Sequence, residues 1–153
     1  MFNQAQRSHR RSIRGFSLVE ALIIVVILGI LTLMLMPRFE PLVAGRSVKS
    51  ARASFTGLYQ RARMAAVQNR VYATLKVSGG VAFATITTPW GGTQNVGNAV
   101  LFDTDYRVTA TATPDSVLIQ PSGLVRTGLP FVLVLIRSDA RDTVRITGYG
   151  QIQ

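Results

Sequence analysis

Arg14-Gly15-Phe16-Ser17-Leu18-Val19-Glu20, followed at once by an apolar run from Ala21 to Met36, decides how this 153-residue chain is read. The residues before it are few and basic, and those after it lead through a basic amphipathic stretch into a strand-patterned segment. Phe16 to Met36 is 21 residues, which at about 1.5 Å per residue gives roughly 31 Å of helix, the thickness of a bilayer's hydrocarbon core. The segment is expected to span a membrane. Glu20 is its only charge, and a carboxylate at mid-bilayer costs on the order of 2.5 to 3.5 kcal/mol, less near the interface. Such a group needs a partner. One is local: Ser17 and Glu20 have the S-x-x-E spacing of a capping box, which satisfies two free backbone N–H groups at a helix start.

A second reading of Glu20 comes from a resemblance. Gly15-Phe16-Ser17-Leu18-Val19-Glu20, after a basic leader and before an apolar run, resembles the prepilin processing motif of type IV pilins and type II secretion pseudopilins. The resemblance implies a prepilin peptidase/N-methyltransferase that cuts between Gly15 and Phe16 and methylates the new amino group of Phe16. It further implies that Glu20 neutralises the terminal amine of a neighbouring pilin or pseudopilin as a filament grows on an inner-membrane assembly platform. Opposite charges about 4 Å apart attract by about 1 kcal/mol in water and several-fold more where water is thin. A cap and a filament contact can coexist on one side chain.

The net charge of +10 is unevenly spread. Residues 1–15 hold Arg7, Arg10, Arg11 and Arg14 and no acid, so removal of this leader would leave +6 in the side chains. Arginines before an apolar segment hold that end in the cytoplasm, whereas a long following domain is exported largely regardless of its charge. An ordinary signal peptide is the rival reading. Its nearest small-residue cleavage site, Leu42-Val43-Ala44-Gly45, has a poor residue two before the alanine. There is no cysteine, which excludes disulfides, thiol chemistry and cysteine metal sites. His9, the single histidine, lies in the leader. No carboxylate pair outside turns and no phosphate-cradling glycine loop followed by lysine is present, so the chain does not read as an enzyme and no cofactor or metal is expected.

Pro37 removes a backbone donor and crowds the preceding turn, so the apolar helix is expected to bend or open there, with Pro41 and Gly45 as further loose points. In the resembled family a proline at this place accompanies partial melting inside filaments, which makes Pro37 an assembly residue beside Glu20. A second, amphipathic helix is expected from about Arg46 to Asn69. Val48, Ala51, Phe55, Leu58, Tyr59, Ala62 and Ala66 form one apolar face. Arg46, Lys49, Arg52, Arg61 and Arg63, with Arg70, line the other, where they are either merely solvated or candidates for contact with DNA or acidic lipid. Ala62-Arg63-Met64-Ala65-Ala66 is similar to the helix end of the GspH/FimT family of minor pseudopilins and pilins.

Beyond Arg70 the apolar period changes from helical to two. Val71–Val77 and Val81–Thr87 flank Gly79-Gly80 and read as a hairpin. Thr88–Asn98 reads as a surface loop around Trp90, which either anchors a partner or folds back on the core. Val100–Phe102, Arg107–Ala112, Val117–Gln120, Phe131–Arg137 and Thr143–Thr147 read as strands, with a turn over 138–142. Asp103-x-Asp105 suits turn chemistry better than a calcium loop, which needs more oxygen ligands. Ile119-Gln120-Pro121-Ser122-Gly123 resembles the hydrophobe-x-P-x-G signature of the same family, whereas Gln151 stands where its DNA-binding members carry an arginine after the glycine.

The expected architecture is α+β: a long N-terminal helix, membrane-spanning in its first half and amphipathic in its second, packed on a small antiparallel sheet or sandwich head. The parts are a leader at 1–15, a membrane and assembly helix at 16–37, a basic helix at 38–70 and an extracytoplasmic head at 71–153. Three functions fit this plan: a minor pseudopilin of a type II secretion system, a minor type IV pilin that receives DNA, and a membrane-anchored module that never polymerises.

Overall fold

The computed structural model describes residues 16–126 and 129–153, with the side chains of 35–39 outside the description. The leader, and with it Gly15, the four leading arginines and His9, lies outside the described residues. The chain divides after Pro37 into two units.

Leu18–Asn69 is a single helix, α1. The expected opening at Pro37 and the separate start near Arg46 are therefore corrected at the level of secondary structure. Pro37 and Pro41 are four residues apart, so the two missing N–H groups cost only the hydrogen bonds that would have reached the carbonyls of Leu33 and Pro37. The neighbouring Leu, Met, Glu and Ala residues are good helix formers. They keep the ladder on either side.

From Arg38 onward α1 supplies a core stripe. Ala44, Val48, Ala51, Phe55, Leu58, Tyr59, Ala62 and Ala66 are all buried, at the three- and four-residue spacing of one helix face. Against that stripe stand two antiparallel sheets. The first contains β1 (Ala73–Ser78), β2 (Val81–Thr87), β3 (Thr93–Asn95), β4 (Val100–Leu101), β6 (Ser116–Ile119) and β7 (Val125–Arg126). Its order is β3-β2-β1-β6-β7, with β4 paired to β2. The second is β5 (Thr109–Thr113), β8 (Phe131–Arg137) and β9 (Ala140–Ile146), in the order β5-β8-β9.

Period-two burial fixes which side chains meet α1. Ala73, Leu75 and Val77 of β1, Ala82 and Ala84 of β2, and Phe131, Leu133 and Leu135 of β8 all turn inward. Phe55 from the helix stacks on Phe131 with ring centroids 5.9 Å apart and planes 7° apart, and lies 6.4 Å from Phe102. This aromatic cluster ties α1 to β8 of the second sheet and to the segment that follows β4, with offset geometry of the favoured kind. The β1–β2 hairpin closes through Gly79 and Gly80, both at positive φ (57° and 76°), as a two-residue primed turn requires.

Four details depart from the expected plan. The loop over 88–98 contains the short strand β3. Phe102–Tyr106 forms a short helix, α2, in place of a strand end and turn. Phe102 enters the core while Asp103 and Asp105 stay exposed at its acid-tolerant first turn. The turn after β8 is only Ser138-Asp139, with Ser138 at φ 49°, so Arg141 and Asp142 belong to β9. Finally, Ile152 bridges back to Ile146, and Arg145 and Gln153 exchange two backbone hydrogen bonds, which covers one end of the β9 edge.

Candidate functional site

The N-terminal segment leaves its apolar surface bare. Every described residue from Phe16 to Met34 is exposed, Phe16 by 67 % and Leu18 by 82 %. The helix opens where the Ser17 carbonyl accepts the Ala21 N–H at 3.1 Å. Among the described residues neither the Ser17 hydroxyl nor the Glu20 carboxylate makes a side-chain hydrogen bond there, so the capping box is not closed. Glu20 is exposed and has no cation beside it among those residues. Thr32, the other polar side chain of the run, donates to the Leu28 carbonyl at 2.7 Å and is thereby satisfied within its own helix. No helix among the described residues is long and apolar enough to cross a membrane; the run with described side chains stops at Met34, short of the expected span to Pro37.

The five candidate cations of the second stretch have different surroundings. Arg46, Lys49 and Arg61 are exposed. Arg52 pairs with Asp142 of β9 at 2.8 Å. Arg63 is half-buried and spans two chain segments: Nε donates to the Gly123 carbonyl at 3.0 Å and Nη1 to the Gly150 carbonyl at 3.3 Å. One turn earlier, the Tyr59 hydroxyl donates to the same Gly150 carbonyl at 3.0 Å. Burial pushes the Tyr59 phenol above its ordinary value of 10, with the Arg63 charge opposing in part.

This clamp explains two glycines. Gly123 and Gly150 are both buried and at positive φ (79° and 73°). A Cβ on Gly150 would stand 2.8 Å from the Gly123 carbonyl oxygen and 3.0 Å from the Tyr59 hydroxyl. Only hydrogen fits. Three sequence features that lie 60 and 87 positions apart, the Ala62-Arg63-x-x-Ala66 helix end, the Pro121-Ser122-Gly123 turn and Gly150, thus meet at a single point. Neither the Tyr59 contact nor the role of Gly150 was deduced from sequence; the signal that pointed there was the glycine retained without its arginine.

Trp90 sits at the tip of the β2–β3 hairpin and is 95 % exposed. Among the described residues no group of three or more His, Cys, Asp or Glu side chains is placed to hold a metal ion.

The prokaryotic N-terminal methylation motif matches residues 10–36. Among solved structures, the chain is similar to the type IV minor pilin FimU of Pseudomonas aeruginosa, with a TM-score of 0.56 and 16 % identity over 71 % of this chain and 87 % of that one. It is also similar to EpsH, the minor pseudopilin from the type 2 secretion system of Vibrio cholerae, with a TM-score of 0.51 and 16 % identity over 67 % of this chain and 94 % of that one. The chain is type IV pilin-like in motif and fold. A comparison with curated proteins finds no match. In pilin-like terms, the α+β plan of a long N-terminal helix followed by an antiparallel β head is what this chain has. The Arg63 clamp fastens the top of that helix to the head.

Proposed function

We propose that the chain is a minor pseudopilin of a type II secretion system, processed between Gly15 and Phe16, N-methylated on Phe16 and assembled through its N-terminal helix into a short periplasmic filament that promotes protein export. The observation that carries this reading is the methylation motif over residues 10–36, joined to a helix whose apolar surface from Phe16 to Met34 is exposed all round. Exposed apolar surface of that extent needs lipid or neighbouring helices around it. On this reading residues 1–15 are a cytoplasmic leader, 16–37 anchor the chain once across the inner membrane, 38–70 continue the helix and 71–153 are the periplasmic head. Glu20, unpaired within the described chain, meets the methylated amine of a neighbouring subunit. Pro37 is where the helix yields during assembly.

The likeness to FimU supports a second reading, a minor type IV pilin acting in pilus assembly or in DNA uptake. For DNA contact the exposed Arg46, Lys49 and Arg61 are available, whereas Arg52 and Arg63 are engaged by Asp142 and by backbone carbonyls. Phosphate binding is dominated by free cations, so the reading rests on the first three.

Mass spectrometry of the chain from cells tests maturation. The expected product begins at Phe16 and carries one extra methyl group, and Gly15→Val retains the whole leader; a product beginning elsewhere overturns the prepilin assignment. Disrupting the gene in its own host separates the two machines. Loss of a protein from the culture medium identifies secretion, and loss of surface fibres or of transformation identifies the pilus.

A further inference from the structure

The β2–β3 hairpin holds its single indole in water on a fixed turn. The Thr88 N–H donates to the Gly92 carbonyl at 2.8 Å, the Gly91 N–H to the Thr88 carbonyl at 3.0 Å and the Gly92 N–H to the Thr88 hydroxyl at 3.0 Å. Pro89 fixes its own φ, and Gly91 takes the positive φ of 80° that closes a three-residue hairpin loop. Trp90 therefore projects from a loop that has little entropy left to lose on binding.

The surface around it is unusual for this chain. From Val77 to Phe102, 26 residues, there is no charged side chain, although the whole chain carries 17 basic and 7 acidic residues. Register sets Thr85 opposite Asn95 and Thr87 opposite Thr93. Ala84 before Thr85 is buried and Ile86 between the two threonines packs against the core, so all four side chains stand on the outward face that leads to Trp90. Hydroxyl and amide groups both donate and accept hydrogen bonds.

Those two properties select a ligand class. A nucleic acid or acidic lipid needs cations, and the hairpin has none. A protein hot spot centres its aromatic anchor in a desolvated apolar patch, whereas Trp90 stands 95 % exposed between Pro89 and Gly91, above strands that carry Thr87, Thr93 and Asn95. An uncharged sugar presents a C–H face that stacks on an indole and a rim of hydroxyls that both give and take hydrogen bonds. We propose that the Trp90 hairpin is a binding site for a neutral carbohydrate chain, with one sugar ring stacked on the indole and its neighbours hydrogen-bonded by Thr87, Thr93 and Asn95.

Trp90 is the only tryptophan, so intrinsic fluorescence reports on this site alone. The full chain, in a detergent without a sugar headgroup, is titrated with chitotetraose, cellotetraose and maltotetraose. The proposal expects a saturable emission change with at least one of them. In calorimetry with that sugar, Trp90→Ala binds about tenfold or more weakly, as for loss of one stacked aromatic, and Asn95→Ala binds several-fold more weakly, both with the melting temperature of the parent. No saturable change with any of the three sugars overturns the proposal, as does undiminished binding by Trp90→Ala. Loss of co-purifying filament subunits from Trp90→Ala, with no sugar bound by the parent, overturns it in favour of a protein contact.

Discussion

The two stretches of α1 on either side of Pro37 share a helix and obey opposite rules. Between Leu18 and Met34 apolar side chains occupy all faces and every one of them is exposed. Between Ala44 and Ala66 eight of them, from Ala44 and Val48 through Phe55 to Ala66, form one buried stripe, and the exceptions, such as Met64, lie off it. The first is written for surroundings outside this chain, lipid or like helices, and the second for the sheets of its own head. The single acid in the first stretch points to the same difference, because Glu20 has no partner among the described residues, whereas Arg52, Tyr59 and Arg63 in the second are each bonded to the head.

Paired truncations test that contrast most severely. Phe55→Ala should cost the head about 3 to 5 kcal/mol, the usual range for emptying a buried phenylalanine site, read from urea denaturation of the full chain in detergent. Leu22→Ala, which removes comparable apolar volume from the exposed stretch, should leave the head's unfolding midpoint where it was; a matched loss would erase the distinction. Next in size is Gly150→Ala, expected to destabilise by about 2 kcal/mol or more, since it adds both a clash with the Gly123 carbonyl and a strained positive φ. An unchanged melting temperature would show that the clamp contributes little.

Smaller again is Tyr59→Phe, at about 1 kcal/mol for one neutral hydrogen bond. Its signature is in the pH dependence. The folded phenol titrates above 10 and the unfolded one near 10, so the stabilisation is complete below pH 10 and is lost as pH rises through the folded value. The parent should therefore lose stability above pH 10 more steeply than Tyr59→Phe, and parallel curves would remove Tyr59 from the account. The smallest effect on the head is that of Glu20→Gln, which should leave its melting temperature unchanged and cleavage intact. Its incorporation into filaments, measured by co-sedimentation, should fall, and incorporation at the parent's level would count against the amine pairing.

Period-based reading performed well where one force dominates. All seven residues assigned to the apolar face of the basic helix are buried, because the 3.6-residue repeat and the burial of Phe55, Leu58 and Tyr59 express the same demand. The β1–β2 hairpin followed from Gly79-Gly80 for a similar reason. Sequence failed where the decisive partner is remote. Nothing local to Arg63 says that its guanidinium will satisfy carbonyls 60 and 87 positions downstream, so it read like any other exposed cation. Pro37 read as a bend or opening because propensity counts the lost hydrogen bond and not the many that persist around it. The exposure of Trp90 was undecidable beforehand, since an indole suits core and surface alike.

The clamp at the top of α1 also imposes an order of events on biogenesis. Tyr59 and Arg63 are synthesised long before Gly150, and until that residue emerges the carbonyl they share is absent. A chain that stops short of Gly150 therefore leaves the Tyr59 hydroxyl and the Arg63 Nη1 without that acceptor, and the seam closes only once Gly150 has docked.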